Sequence, residues 1–285
     1  MSTVSRFAPS PTGRLHLGHA FSAIRAHDLA RAAGGRFLLR IEDIDPGRSR
    51  EAFIAGIEED LHWLGLGWDG PAVRQSQRLP LYAAALDRLK ALGLVYPCFC
   101  TRAEIAASAA APHGDEGPAY PGTCRALSPG EREARAHEPH CWRLDMSAAI
   151  TRAGPGRRWH DEEAGDMIAD PAPQGDVVLA RKDAPTSYHL AVTVDDAAQG
   201  VTDVVRGMDL FAATHVHRLL QALLGLPTPR YHHHPLLMGP DGKRLAKRAG
   251  APALADLRAA GADPAALAAD LRAGRLPIGF AGPSA

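Results

Sequence analysis

Two histidines three positions apart, His16 and His19, stand in the tetrapeptide His16-Leu17-Gly18-His19, where a Pro- and Gly-rich loop meets a helix. At that spacing they share one helix face. A helix N-terminus attracts phosphate through its free N–H groups and its dipole. Gly18 removes a side chain, so a base or ribose can approach the backbone. The imidazoles can then hydrogen-bond phosphate oxygens as charge develops on them; ordinary surface or helix-capping histidines are the plainer alternative. A second cationic element lies far along the chain. The loop Pro240–Gly250 reads DGKRLAKRAG from 241 and carries Lys243, Arg244, Lys247 and Arg248 beside Gly242 and Gly250. Lys as a point charge and Arg as a fork suit a loop that closes on a polyphosphate, although basic runs are more often simply solvated.

Cysteine chemistry is concentrated in one region. Cys98, Cys100, Cys124 and Cys141 are the four cysteines, too few to staple a chain of this length. Two thiolates one residue apart can pinch one ion, and reduced thiols favour zinc; buried free thiols are the alternative. Cys141, His137 and His140 are the natural further ligands on ligand chemistry alone. Two other patterns are decoys. Gly65-Leu-Gly67-Trp-Asp-Gly70 matches G-x-G-x-x-G, but it follows a helical segment rather than a strand, so it reads as a turn. His232, His233 and His234 are consecutive, and strand neighbours point to opposite faces, so they cannot easily converge on one ion.

These groups need a scaffold. The sequence predicts a strand at Val4–Phe7, a turn-rich loop through Pro9, Pro11 and Gly13, a helix at Leu17–Ala33, and a buried strand at Arg36–Ile41 followed by Glu42, Asp43 and Asp45. Strand–helix–strand order opens an α/β domain with a parallel sheet, whose active site lies at the carboxyl ends of its strands. Helices are predicted near Arg50–Leu64, Pro80–Leu92 and Thr214–Leu224, strands at Val177–Ala180, His189–Val194 and Val201–Val205, and a helical tail over Ala251–Arg275. Residues 98–141, rich in Ala, Pro and Gly at their centre, read as an insertion with little regular structure. The 285 residues carry 32 Lys+Arg and 32 Asp+Glu, which excludes the strongly basic field of a small DNA-coating protein but not a local basic groove. Aromatics at 6% leave little material for a single-strand stacking platform. With no long apolar run and no signal-peptide h-region, a cytoplasmic location is expected.

The order of the elements narrows the reading. RFAPSPTGRLHLGH at 6–19, LLRIEDID at 38–45 and DGKRLAKRAG at 241–250 occur in the order and spacing of class I aminoacyl-tRNA synthetases. The first segment resembles the signature of the glutamyl- and glutaminyl-tRNA synthetases; HLGH resembles the HIGH motif, and RLAKR at 244–248 the KMSKS motif in its KLSKR form. The resemblance covers residues 4–250 and implies a Rossmann-like catalytic domain with a zinc-bearing insertion. It assigns glutamate binding to Arg6, Phe7, Ala8, Pro9, Ser10, Glu42, Tyr188 and Arg206, and ATP binding to His16, Gly18, His19, Arg244 and Lys247, with His16, His19 and Lys247 catalytic. The residue types agree: Arg6 and Arg206 are forks for carboxylates, Glu42 can hold an ammonium, and Tyr188 can cap the pocket; a capping Glu and structural ion-pair arginines are the alternatives. Arg244 and Ala246 depart from the motif, the second losing a hydroxyl. The zinc set implied by the resemblance is Cys98, Cys100, Tyr120 and Cys124.

The implied division is 1–97 for the first part of the catalytic domain, 98–145 for the insertion, 146–250 for its remainder, and 251–285 for a short helical tail. Only 35 residues follow the basic loop, so an anticodon-binding domain is not expected there. The chain thus resembles a stand-alone catalytic-domain paralogue that activates glutamate with ATP, and with Mg²⁺ on the phosphates, then transfers it to the queuosine base in the anticodon of tRNA(Asp). A monomer is expected. The alternatives are a truncated glutamyl-tRNA synthetase charging tRNA(Glu), or a catalytically inactive tRNA-binding homologue.

Overall fold

The computed structural model describes residues 2–101, 103–105, 120–237 and 252–275. Arg244 and Lys247 of the basic loop, and the end of the tail beyond 275, lie outside the described residues.

The first unit is parallel α/β. Strand β1 (Val4–Phe7) pairs in parallel with β2 (Arg36–Ile41) through helix α1 (Leu17–Ala32). Both strands are buried along almost their whole length, which suits their apolar runs. Helix α2 (Glu51–Trp63) follows, and the short β3 (Val73–Arg74) adds in parallel to β2. The Gly65 decoy is a turn: Gly65 has φ 73° directly after α2, where the left-handed conformation ends helices.

Helix α3 (Leu79–Ala91) leads into β4 (Val95–Cys98). The described part of the inserted region is more ordered than its composition predicts. It holds a 3-10 turn at Thr123–Ala126 and helix α4 (Pro129–Ala134), capped by Ser128 and Glu131. β5 (Cys141–Leu144) then pairs antiparallel with β4 and with β8 (Val178–Ala180). Helix α5 (Met146–Ala153) and a hairpin, β6 (Arg158–Asp161) with β7 (Gly165–Ile168), lie between β5 and β8.

The chain then returns to the first unit. Tyr188–Ala198 is helix α6, not the strand predicted for His189–Val194. Leu190 to Thr193 and Asp195 to Asp196 are all buried, so the segment shows no helical apolar period from which to read it. Strand β9 (Asp203–Gly207), helix α7 (Phe211–Leu224) and β10 (Arg230–His234) follow, β10 pairing in parallel with β9 and β6. β9 lies beside β1, where Thr202 N–H donates to the Val4 carbonyl at 2.9 Å. The carboxyl ends of β1, β2 and β9 therefore open on one side.

The tail is helical over its described part, as two helices, α8 (Leu254–Ala259) and α9 (Pro264–Arg272). Leu254, Leu267 and Leu271 join the same core as Phe21, Ile24, Phe37 and Leu39. Ala253 bridges to His16, and Leu254 N–H donates to the Leu15 carbonyl at 2.9 Å.

Candidate active site

A cavity of about 500 Å³ opens at the carboxyl ends of β1, β2 and β9, within the usual range for a small-ligand site. Arg6, Phe7, Ala8, Pro9, Ser10, His16, Gly18, His19, Glu42, Tyr188 and Arg206 all line it. The 8–13 loop is held on its far side by backbone bonds: Glu42 N–H donates to the Pro9 carbonyl at 3.0 Å and Arg50 N–H to the Pro11 carbonyl at 3.2 Å.

The two histidines cap the helix they open. Gly18 N–H donates to His16 Nδ1 at 3.1 Å, and His16 N–H donates to His19 Nδ1 at 3.2 Å. Their rings are 3.8 Å apart. The capping alternative and the cavity position thus coexist: each Nδ1 accepts from backbone, which fixes the ring and directs Nε2 outward.

Beneath the cavity lies a charge network absent from the sequence reading. Arg6 Nε donates to Asp196 Oδ1 at 2.9 Å, and Arg40 Nη1 donates to the same oxygen at 2.8 Å. Burial would raise Asp196, but Arg6 and Arg40 hold its carboxyl low. Arg40 is fully buried, and its Nε and Nη2 have no hydrogen-bond partner among the described residues. Its Nη2 lies 3.5 Å from Glu42 Oε1. Burial pushes the Glu42 carboxyl up, against the pull of Arg40 and Arg6. The neighbouring Asp195 holds Gln75 at 2.8 Å, Arg78 at 2.6 Å and Tyr82 at 2.7 Å. The adjacent acidic pair after a Val-rich run was the available signal for these residues, and the strand prediction obscured it.

Arg206 has a different setting. It is buried, and it donates to His233 Nε2 at 3.1 Å, Tyr188 Oη at 3.2 Å and Thr214 Oγ1 at 2.5 Å, with His217 Nδ1 at 3.3 Å. Burial, then the Arg206 charge, lowers His217 well below the ordinary imidazole range and His189 to about 4. Lowered in this way, the imidazoles favour their neutral form, and among the described residues no carboxylate forms an ion pair with Arg206. A buried cation among neutral partners favours an incoming anion. The three consecutive histidines diverge as predicted: His232 meets Asp203 at 3.0 Å, His233 meets Asp161 at 2.6 Å, and His234 meets Ser22 Oγ at 2.8 Å.

The cysteines form a separate centre. The thiols of Cys98, Cys100 and Cys124 all lie within 4.8 Å of one another, the one such cluster of metal-ligating groups among the described residues. Cys100 Sγ is 3.5 Å from Cys124 Sγ and 3.6 Å from the Tyr120 hydroxyl. Thiolates on one tetrahedral zinc would sit about 3.8 Å apart, so the donor set and spacing fit that ion. Cys141 pairs with Cys98 across the β4–β5 ladder but stands outside the cluster, and His140 Nδ1 is engaged by the Glu138 carbonyl at 2.9 Å. Interaction with Cys141 draws the Cys98 thiol down against its burial.

Comparison with known proteins decides the family. The family described as tRNA synthetases class I (E and Q), catalytic domain, matches residues 2–275. The chain belongs to that family. Among class I (E and Q) relatives, a Rhodobacter capsulatus protein named glutamyl-Q tRNA(Asp) synthetase is 55% identical over 272 residues, covering 92% of this chain and 97% of its own. A protein of the same name from Symbiobacterium thermophilum is 50% identical over 274 residues, covering 91% and 82%. Glutamate–tRNA ligase 1 of Ruegeria pomeroyi is 44% identical over 268 residues, covering 93% of this chain and 59% of its own. The crystal structure of a glutamate tRNA ligase from Elizabethkingia meningosepticum in complex with its amino acid superposes with TM-score 0.73 at 29% identity, covering 88% of this chain. This chain spans about half of that one, 53%. The class I synthetase family makes the protein a ligase. Among the described residues no helix is long and apolar enough to cross a membrane.

Proposed function

We propose that the chain activates L-glutamate with ATP and transfers it to the queuosine base in the anticodon of tRNA(Asp). The observation that carries the activation step is the cavity's charge pattern: Arg206, buried with neutral partners, faces a space also lined by Glu42 and Tyr188. A dicarboxylate with one ammonium complements that pattern. Arg206 and Arg6 receive carboxylate, Glu42 receives the ammonium, Tyr188 closes the pocket, and the Phe7–Ser10 backbone forms its side.

The chemistry needs little from a protein base. A glutamate carboxylate oxygen attacks the α-phosphorus of ATP, forming the mixed anhydride and expelling pyrophosphate. Catalysis is then positioning and charge stabilisation. His16 and His19, held by helix-capping bonds, would donate to the phosphates, Gly18 would admit the nucleotide, and Lys247 with Arg244 would neutralise the polyphosphate. Mg²⁺ on the ATP phosphates would add charge neutralisation. A zinc ion held by Cys98, Cys100, Cys124 and Tyr120 would lock the inserted region as a closed structural site. In this reading residues 1–97 and 146–250 form the catalytic domain, 98–145 the insertion and 251–285 the tail.

The acceptor rests on similarity: the relatives that the chain covers along 82–97% of their own length bear the glutamyl-Q name. The deciding experiment uses radiolabelled glutamate with tRNA(Asp), with and without queuosine, and with tRNA(Glu). Label should enter tRNA(Asp) only with queuosine and should survive removal of the 3′ end. Charging of tRNA(Glu), lost on 3′ oxidation, would establish a glutamyl-tRNA synthetase instead. Absence of glutamate-dependent ATP–pyrophosphate exchange would leave a binding homologue.

A further inference from the structure

Arg206 is the cation on which the proposed glutamate site turns, and something outside the cavity must decide which way its fork points. Its Nε–H donates to His233 Nε2 at 3.1 Å. On the other side of the same ring, His233 Nδ1 lies 2.6 Å from Asp161 Oδ2. Asp161 ends β6, which forms the hairpin with β7 and joins the sheet of β9 through β10. His233 and Asp161 side chains are both fully buried.

A carboxylate can only accept, so His233 carries its proton on Nδ1 and presents a lone pair at Nε2. That lone pair is what Arg206 Nε–H requires. The Thr214 hydroxyl also approaches Nε2, at 3.2 Å, and accepts from Arg206 Nη2. We propose that Asp161 and His233 form a positioning relay that fixes the orientation of Arg206 and thereby the affinity for the amino-acid substrate. This deepens the reading of the cavity as a glutamate site and rests on it.

The relay makes a specific demand on an isosteric change. Asp161 Oδ1 accepts the backbone N–H groups of Glu163 and Ala164 at 3.2 and 3.0 Å. In Asp161→Asn the amide oxygen is favoured at that position: a nitrogen there would oppose two backbone N–H groups, whereas at the Oδ2 position it opposes one, that of His233 at 3.2 Å. The NH₂ group then faces His233 Nδ1, which must become the acceptor. The ring proton moves to Nε2 and opposes Arg206 Nε–H, donor against donor. Removing one unit of charge at almost constant volume would therefore release Arg206.

His233→Gln tests the same logic from the other side. Its amide can donate to Asp161 and accept from Arg206, preserving the sequence of donors and acceptors. His233→Leu cannot. In glutamate-dependent ATP–pyrophosphate exchange, Asp161→Asn and His233→Leu should raise the glutamate KM at least tenfold while the ATP KM stays within twofold. His233→Gln should stay within about threefold of wild type for both. An unchanged glutamate KM in Asp161→Asn, or an ATP KM that rises in step with it, would overturn the relay, the second by assigning a purely structural role. Long-range proton–nitrogen NMR correlation supplies a readout without catalysis, with His233→Gln assigning the signal. The wild-type His233 ring should be protonated at Nδ1 and the Asp161→Asn ring at Nε2; protonation at Nε2 in the wild type would overturn the proposal. A wild type without glutamate exchange would sink the glutamate reading, and the NMR result would still decide the relay.

Discussion

Arg6 on the first strand and Asp196 on helix α6 are 190 positions apart and form a buried ion pair, Nε to Oδ1 at 2.9 Å. The same carboxylate oxygen holds Arg40. One carboxylate thus bridges two buried guanidinium groups below the cavity. Asp196→Ala should cost about 3–5 kcal/mol of stability, because it removes the shared carboxylate from two buried charges and leaves Arg6 without an ion-pair partner. Urea denaturation measures this, and a loss below 1 kcal/mol would show that Glu42 and Asp195 suffice.

The proposed ammonium site at Glu42 predicts a pH dependence of substrate binding. Burial raises its carboxyl above the ordinary range, so it takes up a proton earlier than a surface Glu as pH falls. The protonated form cannot pair with an ammonium. The glutamate KM should therefore rise as pH falls through the raised pKa, while the substrate's own carboxylates and ammonium stay charged. Glu42→Gln should have a KM at least tenfold higher at pH 8 and a flatter pH profile. Parallel profiles for the two proteins would remove Glu42 from ammonium binding.

The metal centre is open to elemental analysis. About one zinc per chain should copurify. Cys100→Ser should lose it, whereas Cys141→Ser should retain it, since Cys141 stands outside the three-thiol cluster. Loss in Cys141→Ser would replace Tyr120 by Cys141 as the fourth ligand.

Buried neutral histidines predict acid sensitivity. Burial and then Arg206 lower both His189 and His233 to about 4, against about 6.5 in an unfolded chain. Between those values the unfolded chain binds more protons, so stability is full above about pH 6.5 and falls as pH drops towards 4. A fully buried imidazole such as His233 would account for about 2 kcal/mol at pH 5. His233→Gln should show a shallower fall of the urea midpoint from pH 7 to 5, and an identical slope would refute the assignment.

Local signals made much of the scaffold legible. The β1–α1–β2 unit has apolar strands and a glycine-rich boundary, and its predicted limits match to within a residue. The eleven predicted site residues within the described segments that line the cavity come from four separate stretches, and motif order was what linked them. Helix α6 was illegible as a helix because it is buried on nearly every side, which erases the 3.6-residue period. Arg40, Asp161 and His233 were missed for another reason. Each acts through a partner more than 25 positions away, and single-sequence spacing carries no record of such pairs.

The bridge between Ala253 and His16 fastens the chain beside the helix cap just after the basic loop. Lys247 precedes Ala253 by six residues, and six residues reach at most roughly 20 Å when fully extended. The lysine is therefore on a leash whose stake is driven next to the histidines. A tether of that length holds a group at an effective concentration on the order of millimolar around its anchor. In the proposed reaction the cation would reach the phosphates by confinement, and glycines inserted between 248 and 252 would dilute it at the anchor.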